Sequence, residues 1–157
     1  HLMGDEHLPV RPMVKELTMI PDDLDFKGER WGRALLRLGN LLAISARDVS
    51  RLPLGEVGRR EAFVERAARA RSYYERAATV PELAPIAQAN LAMLRHWGGE
   101  HQAAIESLKA VANTSDGAKV QLAKVYWDLG REDEAAEAVS ATMDIEGAIL
   151  RLRRGCQ

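Results

Sequence analysis

The sequence predicts an all-α protein made of packed helix pairs, and three observations support that fold class. Alanine and leucine dominate the composition and only 5% of the residues are aromatic, a balance that suits close helix packing and argues against a sheet. Apolar residues recur at spacings of three and four, as on the buried face of a helix. Residues 86–143 contain one pattern twice. The 157 residues have the length of a single domain.

The repeated pattern is a short apolar helix, a glycine turn and a second short helix. Superposing Ala104 on Ala135 aligns the two passes with an offset of 31 residues, which also places Gly99 on Gly130. Small and apolar residues at matching positions are expected to pack where helices cross. These packing residues are Leu91, Ala92, Gly99, Ala104, Leu122, Ala123, Tyr126, Gly130 and Ala135.

The N-terminal part of the chain predicts an arm followed by a long helical hairpin. Residues 1–20 contain two prolines among alternating apolar residues and are expected to form an extended arm. Residues 1–3 are interpreted either as vector-derived or as the result of an internal cut. In the second case, a signal or membrane anchor could have been removed from the chain. Pro21 and the acidic residues after it favour a helix start, and Pro53 ends that helix after about Val49. A second long helix is predicted over 56–79, so residues 21–80 form the hairpin.

Shorter helices are predicted in the rest of the chain. Residues 81–143 hold the two passes, with helices near 82–97, 100–113, 117–129 and 132–143. Residues 144–157 are expected to form a last helix and a tail. Its apolar residues would cover the open end of a stack of helix pairs, as such stacks require.

The two passes resemble the tetratricopeptide repeat (TPR) family, whose unit is a helix-turn-helix of about 34 residues. Ala70 lies 34 residues before Ala104 and matches the same small position, so the hairpin of residues 21–80 resembles a degenerate, lengthened repeat. The resemblance implies a right-handed solenoid of three helix pairs plus a C-terminal capping helix. The chain departs from the family pattern at Arg95, which occupies a usual tyrosine position, and at the Pro53 loop, which replaces a glycine turn.

The resemblance also implies a function, because TPR proteins hold a partner peptide or helix in a concave groove. The chain is expected to be a non-catalytic adaptor or scaffold for a protein partner. Met93 and Trp127 are expected to bury apolar partner groups, while Trp97 is equally compatible with the core. The groove positions that match the family are Asn90, Met93, His96, Trp97, Gln121, Lys124, Trp127 and Asp128.

Charge is distributed unevenly, which leaves two other functions open. Net charge is −1 overall, with a basic stretch over 27–80 and an acidic stretch over 81–150. The two could pair between molecules and give a homo-oligomer. The basic surface could also contact nucleic acid or another anionic surface. Its arginines alternate with glutamates at helical spacing, however, and Tyr73 is the only obvious stacking group for bases. These arginines are Arg59, Arg60, Arg66, Arg69, Arg71 and Arg76.

No metal, cofactor or catalytic site is expected. His96 and His101 superficially resemble a zinc-binding helix, but Gly98 and Gly99 break the helix that would present both imidazoles. The sequence has no glycine-rich phosphate loop, and Cys156, the one cysteine, excludes an internal disulfide. No apolar run approaches the ~20 residues needed to cross a bilayer, so a cytoplasmic location is the default expectation.

Overall fold

The computed structural model describes residues 28–51, 53 and 55–154. The predicted arm, the predicted helix start at Pro21 and Cys156 lie outside these residues. All regular structure among the described residues is helical, which confirms the all-α prediction. The α-helices there are α1 Glu29–Val49, α2 Glu56–Ala77, α3 Ala84–Trp97, α4 His101–Val111, α5 Asp116–Asp128, α6 Glu132–Ser140 and α7 Ile145–Arg154.

The chain divides into two compact units, His1–Leu83 and Ala84–Gln157, here called the N-terminal and C-terminal units. The N-terminal unit contains α1 and α2, and the C-terminal unit contains α3 to α7. None of the helices in the described part of the chain combines the length and apolar character that a membrane span requires.

The N-terminal unit is a helical hairpin in which α1 and α2 run in opposite directions. The hydroxyl of Tyr74 donates to Oδ1 of Asn40 at 2.7 Å, and Nη1 of Arg66 donates to Oγ of Ser45 at 2.9 Å. Later residues of α1 therefore meet earlier residues of α2. Gly39 lets the helices approach closely, because a Cβ at this position would lie 2.7 Å from Cε1 of the Tyr74 ring. The predicted break around Pro53 is present between α1 and α2.

The C-terminal unit packs its helices around one apolar core. Ala104, Leu108, Ala123 and Val125 are completely buried in it. Helix α7 adds Ala148 and the half-buried Leu152 to the same cluster. Short helices are sufficient to build this core, because each contributes a few small or branched side chains to the shared interior.

Both predicted glycine turns have the same backbone geometry. Gly99 follows α3 with φ of 94°, and Gly130 follows α5 with φ of 75°. The amide of Glu100 donates to the carbonyl of Arg95 at 2.9 Å, and the amide of Arg131 donates to that of Tyr126, also at 2.9 Å. This is the Schellman ending, which satisfies carbonyls at a helix C-terminus and needs a left-handed residue that glycine supplies without strain. The turn ends one helix and returns the chain for the next.

Two predicted helix ends are too long, for local reasons. Helix α4 stops at Val111 and continues as a 3-10 turn over Ala112–Thr114, after which Ser115 caps α5 by accepting the amide of Ala118 at 3.1 Å. Helix α6 ends at Ser140 and not at residue 143. The amide of Met143 instead donates to Oδ2 of Asp116 at 3.0 Å, so the chain leaves the helix to reach α5.

Candidate functional site: the paired faces of α3 and α5

The residues predicted to pack between helices lie in the core and the turns of the C-terminal unit. Leu91 is half-buried, and the two glycines form the turns already described. The other six are buried in one apolar cluster: Ala92, Ala104, Leu122, Ala123, Tyr126 and Ala135. The matching positions therefore have matching environments, except that Leu91 is more exposed than Leu122.

An amide pair joins α3 and α5 at matching positions of the two passes. Nε2 of Gln121 donates to Oδ1 of Asn90 at 2.8 Å. Gln121 is buried and Asn90 is half-buried, so each amide offsets part of the cost of burying the other. The two residues are 31 positions apart, which is the offset of the sequence pattern. The Asn90 oxygen, at one of the predicted groove positions, thus already accepts a hydrogen bond within the chain.

A second polar contact between the same helices involves His96 and Asp128. Nε2 of His96 lies 2.8 Å from Oδ2 of Asp128, and Nζ of Lys124 lies 2.8 Å from Oδ1 of the same carboxylate. Burial raises the pKa of the Asp128 carboxyl, but hydrogen bonds from Lys124 and His96 outweigh it, and the pKa falls below its usual 3.8. Asp128 is therefore ionised at neutral pH and accepts a hydrogen bond from each of the two neighbours.

His101 extends this polar chain at the start of α4. Its Nδ1 lies 2.7 Å from Nδ1 of His96, and the ring centroids are 4.8 Å apart in an edge-to-face arrangement. An ionised carboxylate only accepts hydrogen bonds, so Nε2 of His96 carries a hydrogen. In the neutral ring, Nδ1 of His96 then accepts a hydrogen bond from Nδ1 of His101. Hydrogen bonds thus link His101 to His96 and His96 to Oδ2 of Asp128, while Lys124 binds Oδ1 of the same carboxylate. These four residues are called the histidine chain below.

The histidine chain corrects one step of the sequence argument. The glycines do break the helix after Trp97, as predicted, but the break does not separate the two imidazoles. The Schellman turn folds the first residue of α4 back onto the last turn of α3, and it brings His101 onto His96. Within the described residues, no group of three or more histidine, cysteine, aspartate or glutamate side chains is arranged to hold a metal ion.

The apolar groove residues differ sharply in exposure. Trp127 is 55% exposed at the end of α5, and Leu129, two residues later, is also exposed. Met93 is only 6% exposed because it packs into the apolar core, so it does not present the apolar surface that the groove prediction requires of it. Trp97 is half-buried and packs against the same core. Of these groove residues, Trp127 presents a large apolar area.

The predicted basic surface lies along α2, and several of its arginines are engaged within the hairpin. Arg69 pairs with Glu65 at 3.0 Å, and the guanidinium of Arg76 lies 5.5 Å from the ring centre of Tyr73. Arg66 is held by Ser45 of α1, and Arg59 also has a partner. Arg60 and Arg71 are exposed. The ion pair predicted at helical spacing is present, and Tyr73 is buried, which removes it as a stacking platform for bases.

Comparison of the chain with protein-family models, with curated proteins and with solved structures gave no match. The resemblance to the TPR family therefore stays a prediction from the residues of the two passes.

Proposed function

We propose that the chain is a non-catalytic protein-binding module and that its C-terminal unit consists of two TPR-like repeats. In a stack of repeats, equivalent residues of neighbouring units lie side by side. Asn90 and Gln121 are equivalent in the sequence pattern and share a hydrogen bond. Gly99 and Gly130 are equivalent as well, and both adopt a positive φ within the same set of turn hydrogen bonds. These pairs support the repeat proposal.

The exposure of Trp127 is the observation that supports binding most directly. The equivalent position in the first pass is His96, which is only 5% exposed and joins the histidine chain. The second pass instead exposes the indole of Trp127 to solvent at the end of α5. The polar side chains of α5 that face α3 are already hydrogen-bonded within the chain. Exposed tryptophans that become buried in a complex are among the strongest anchors at protein interfaces. The proposed partner is a peptide or helix with an apolar side chain that covers this indole.

The polar groups near Trp127 set the character of the site. Lys124 and Asp128 form an ion pair one helical turn apart, and Trp127 lies beside Asp128 in the sequence. Ion pairs at the edge of an interface contribute little affinity but restrict orientation and partner choice. A partner helix would therefore gain affinity from the indole and orientation from the charged pair.

The test is a paired affinity capture from the source cell with mass spectrometry. Wild type is compared with Trp127→Ala, and Met143→Ala serves as the matched control because Met143 is 95% exposed in the loop before α7. Partners retained by wild type and by the control should be lost from Trp127→Ala. For an identified partner, the affinity should fall about 30-fold or more, which corresponds to a loss of about 2 kcal/mol.

Each variant is first checked for an unchanged melting temperature and helical content. Trp127→Ala should match wild type in both, because an exposed indole contributes little to the core. Capture of the same partners by all three proteins would contradict the proposed binding surface. Unfolding of Trp127→Ala would show that the indole is structural, and it would equally contradict the proposal.

A further inference from the structure

The contact between His96 and His101 is the feature that the proposed function does not use. Two ring nitrogens face each other at 2.7 Å, a distance at which one hydrogen lies between them. Each of these nitrogens has a lone pair when that hydrogen is removed. Imidazole nitrogens are common ligands of divalent transition metals, so a metal ion could replace this hydrogen.

His96 is oriented as metal-binding histidines usually are. Such histidines donate the hydrogen of the second ring nitrogen to a carboxylate or carbonyl, which fixes the tautomer and the ring orientation. Nε2 of His96 is 2.8 Å from Asp128, and Asp128 is held in turn by Lys124. The lone pair of Nδ1 is therefore directed at His101. The ring is buried, so its position is fixed before any ligand arrives.

We propose that His96 and His101 bind one divalent transition-metal ion of the zinc, nickel and copper group through their two Nδ1 atoms. His101 would move its hydrogen from Nδ1 to Nε2 through solvent, so binding to the neutral pair releases no net proton. Tetrahedral zinc with bonds of about 2.0–2.1 Å needs the two nitrogens about 3.3 Å apart. The pair must therefore open by about 0.6 Å.

The required movement falls on His101, because it is the less buried ring and the first residue of α4. The other coordination positions are left to water or to a ligand from another molecule, since the described residues contain no third suitably placed ligand. The site is thus open, with two protein ligands, and differs from a closed structural zinc site with four. This inference does not depend on the binding role of Trp127.

The test is calorimetric titration of the full chain with Zn²⁺. The substitutions His1→Ala, His7→Ala and Cys156→Ser first remove the other histidines and the thiol, so the background protein retains only the proposed pair among these ligand types. This background should bind one Zn²⁺ per chain at about 100 µM metal. His101→Ala in the same background should abolish that binding, whereas Gln102→Ala, at the exposed neighbouring position, should leave it unchanged.

Two further measurements separate a metal site from a structural hydrogen bond. Asp128→Asn keeps both imidazoles but weakens the acceptor that orients His96, so the affinity should fall about 10- to 100-fold. In nitrogen-15 spectra of the background protein, Zn²⁺ should shift the Nδ1 resonances of both rings far more than the Nε2 resonances. Failure of the background protein to bind Zn²⁺, or equal binding by His101→Ala, would overturn the proposal.

Discussion

The two units hold helices together in different ways. The N-terminal unit uses two long helices of 21 and 22 residues, which meet along one extended interface. The C-terminal unit uses five helices of 9 to 14 residues. It reverses direction at two left-handed glycines, whereas none of the described residues between α1 and α2 has a positive φ. The N-terminal unit is held together by one long interface between two helices. The C-terminal unit is held together by short helices that tight turns bring back onto one another.

The same difference appears in the polar contacts. In the hairpin, the hydroxyl of the buried Tyr74 donates to Asn40 of the other helix. The ring of Tyr74 packs against Gly39, where there is no room for a Cβ. In the C-terminal unit, polar groups of α3 meet polar groups of α5, as Gln121 meets Asn90. A defect in the hairpin should therefore affect the whole N-terminal unit, because it has one interface. A defect in the C-terminal unit should act on one turn or one pair of helices.

The largest expected effect concerns Tyr74. Tyr74→Ala leaves a cavity beside Gly39 and should destabilise the hairpin by about 3–5 kcal/mol. Tyr74→Phe removes only the hydrogen bond to Asn40 and should cost about 1 kcal/mol. Hydrogen exchange measured by mass spectrometry separates the units. Peptides of α1 and α2 should lose protection in Tyr74→Ala, and equal loss in α3 to α6 would contradict the separation into units.

The next effect concerns Asp128. Asp128→Ala leaves the buried N–H of His96 without its acceptor and should cost about 1–3 kcal/mol. Asp128→Asn keeps an acceptor oxygen and should cost less. The exposed Asp133 at the start of α6 provides the control Asp133→Asn, for which little change is expected.

The contribution of Asp128 to the free energy of unfolding should also depend on pH. The pKa of Asp128 is lowered in the folded protein, so its stabilisation is complete above its usual value of 3.8 and is lost as the pH falls through the folded value. Urea unfolding of wild type and Asp128→Asn should therefore converge as the pH is lowered below 3.8. A difference in unfolding free energy that stays constant down to pH 2 would contradict the ionised acceptor.

The helices could be predicted from the sequence because their ends have local causes. Pro53, Gly99 and Gly130 mark breaks that the structure contains. The end of α6 could not be predicted, because the amide of Met143 goes to a side chain 27 residues earlier. The spacing of 31 residues indicated that Asn90 and Gln121 hold matching positions, although the hydrogen bond between them depends on helix packing.

The candidate site was less predictable for two physical reasons. Exposure depends on neighbouring helices, which is why Met93 is buried and Trp127 is not, although the sequence predicts both in the same groove. The contact between His96 and His101 depends on where the turn returns the chain, and the presence of two glycines alone does not define that direction. A search for side chains on either side of a predicted Schellman turn would have found this pair.

The central claim is that the C-terminal unit contains two Schellman turns of the same geometry, one at Gly99 and one at Gly130. Alanine substitution at these two glycines tests that claim most directly. Gly99→Ala and Gly130→Ala each place a Cβ in the left-handed region and should each cost about 1–2 kcal/mol of unfolding free energy. Gly98→Ala is the matched control, because Gly98 is exposed and does not have a positive φ. Similar losses at Gly99 and Gly130 with little loss at Gly98 are the predicted result. A loss at only one of the two turns, or an equal loss at Gly98, would contradict the claim.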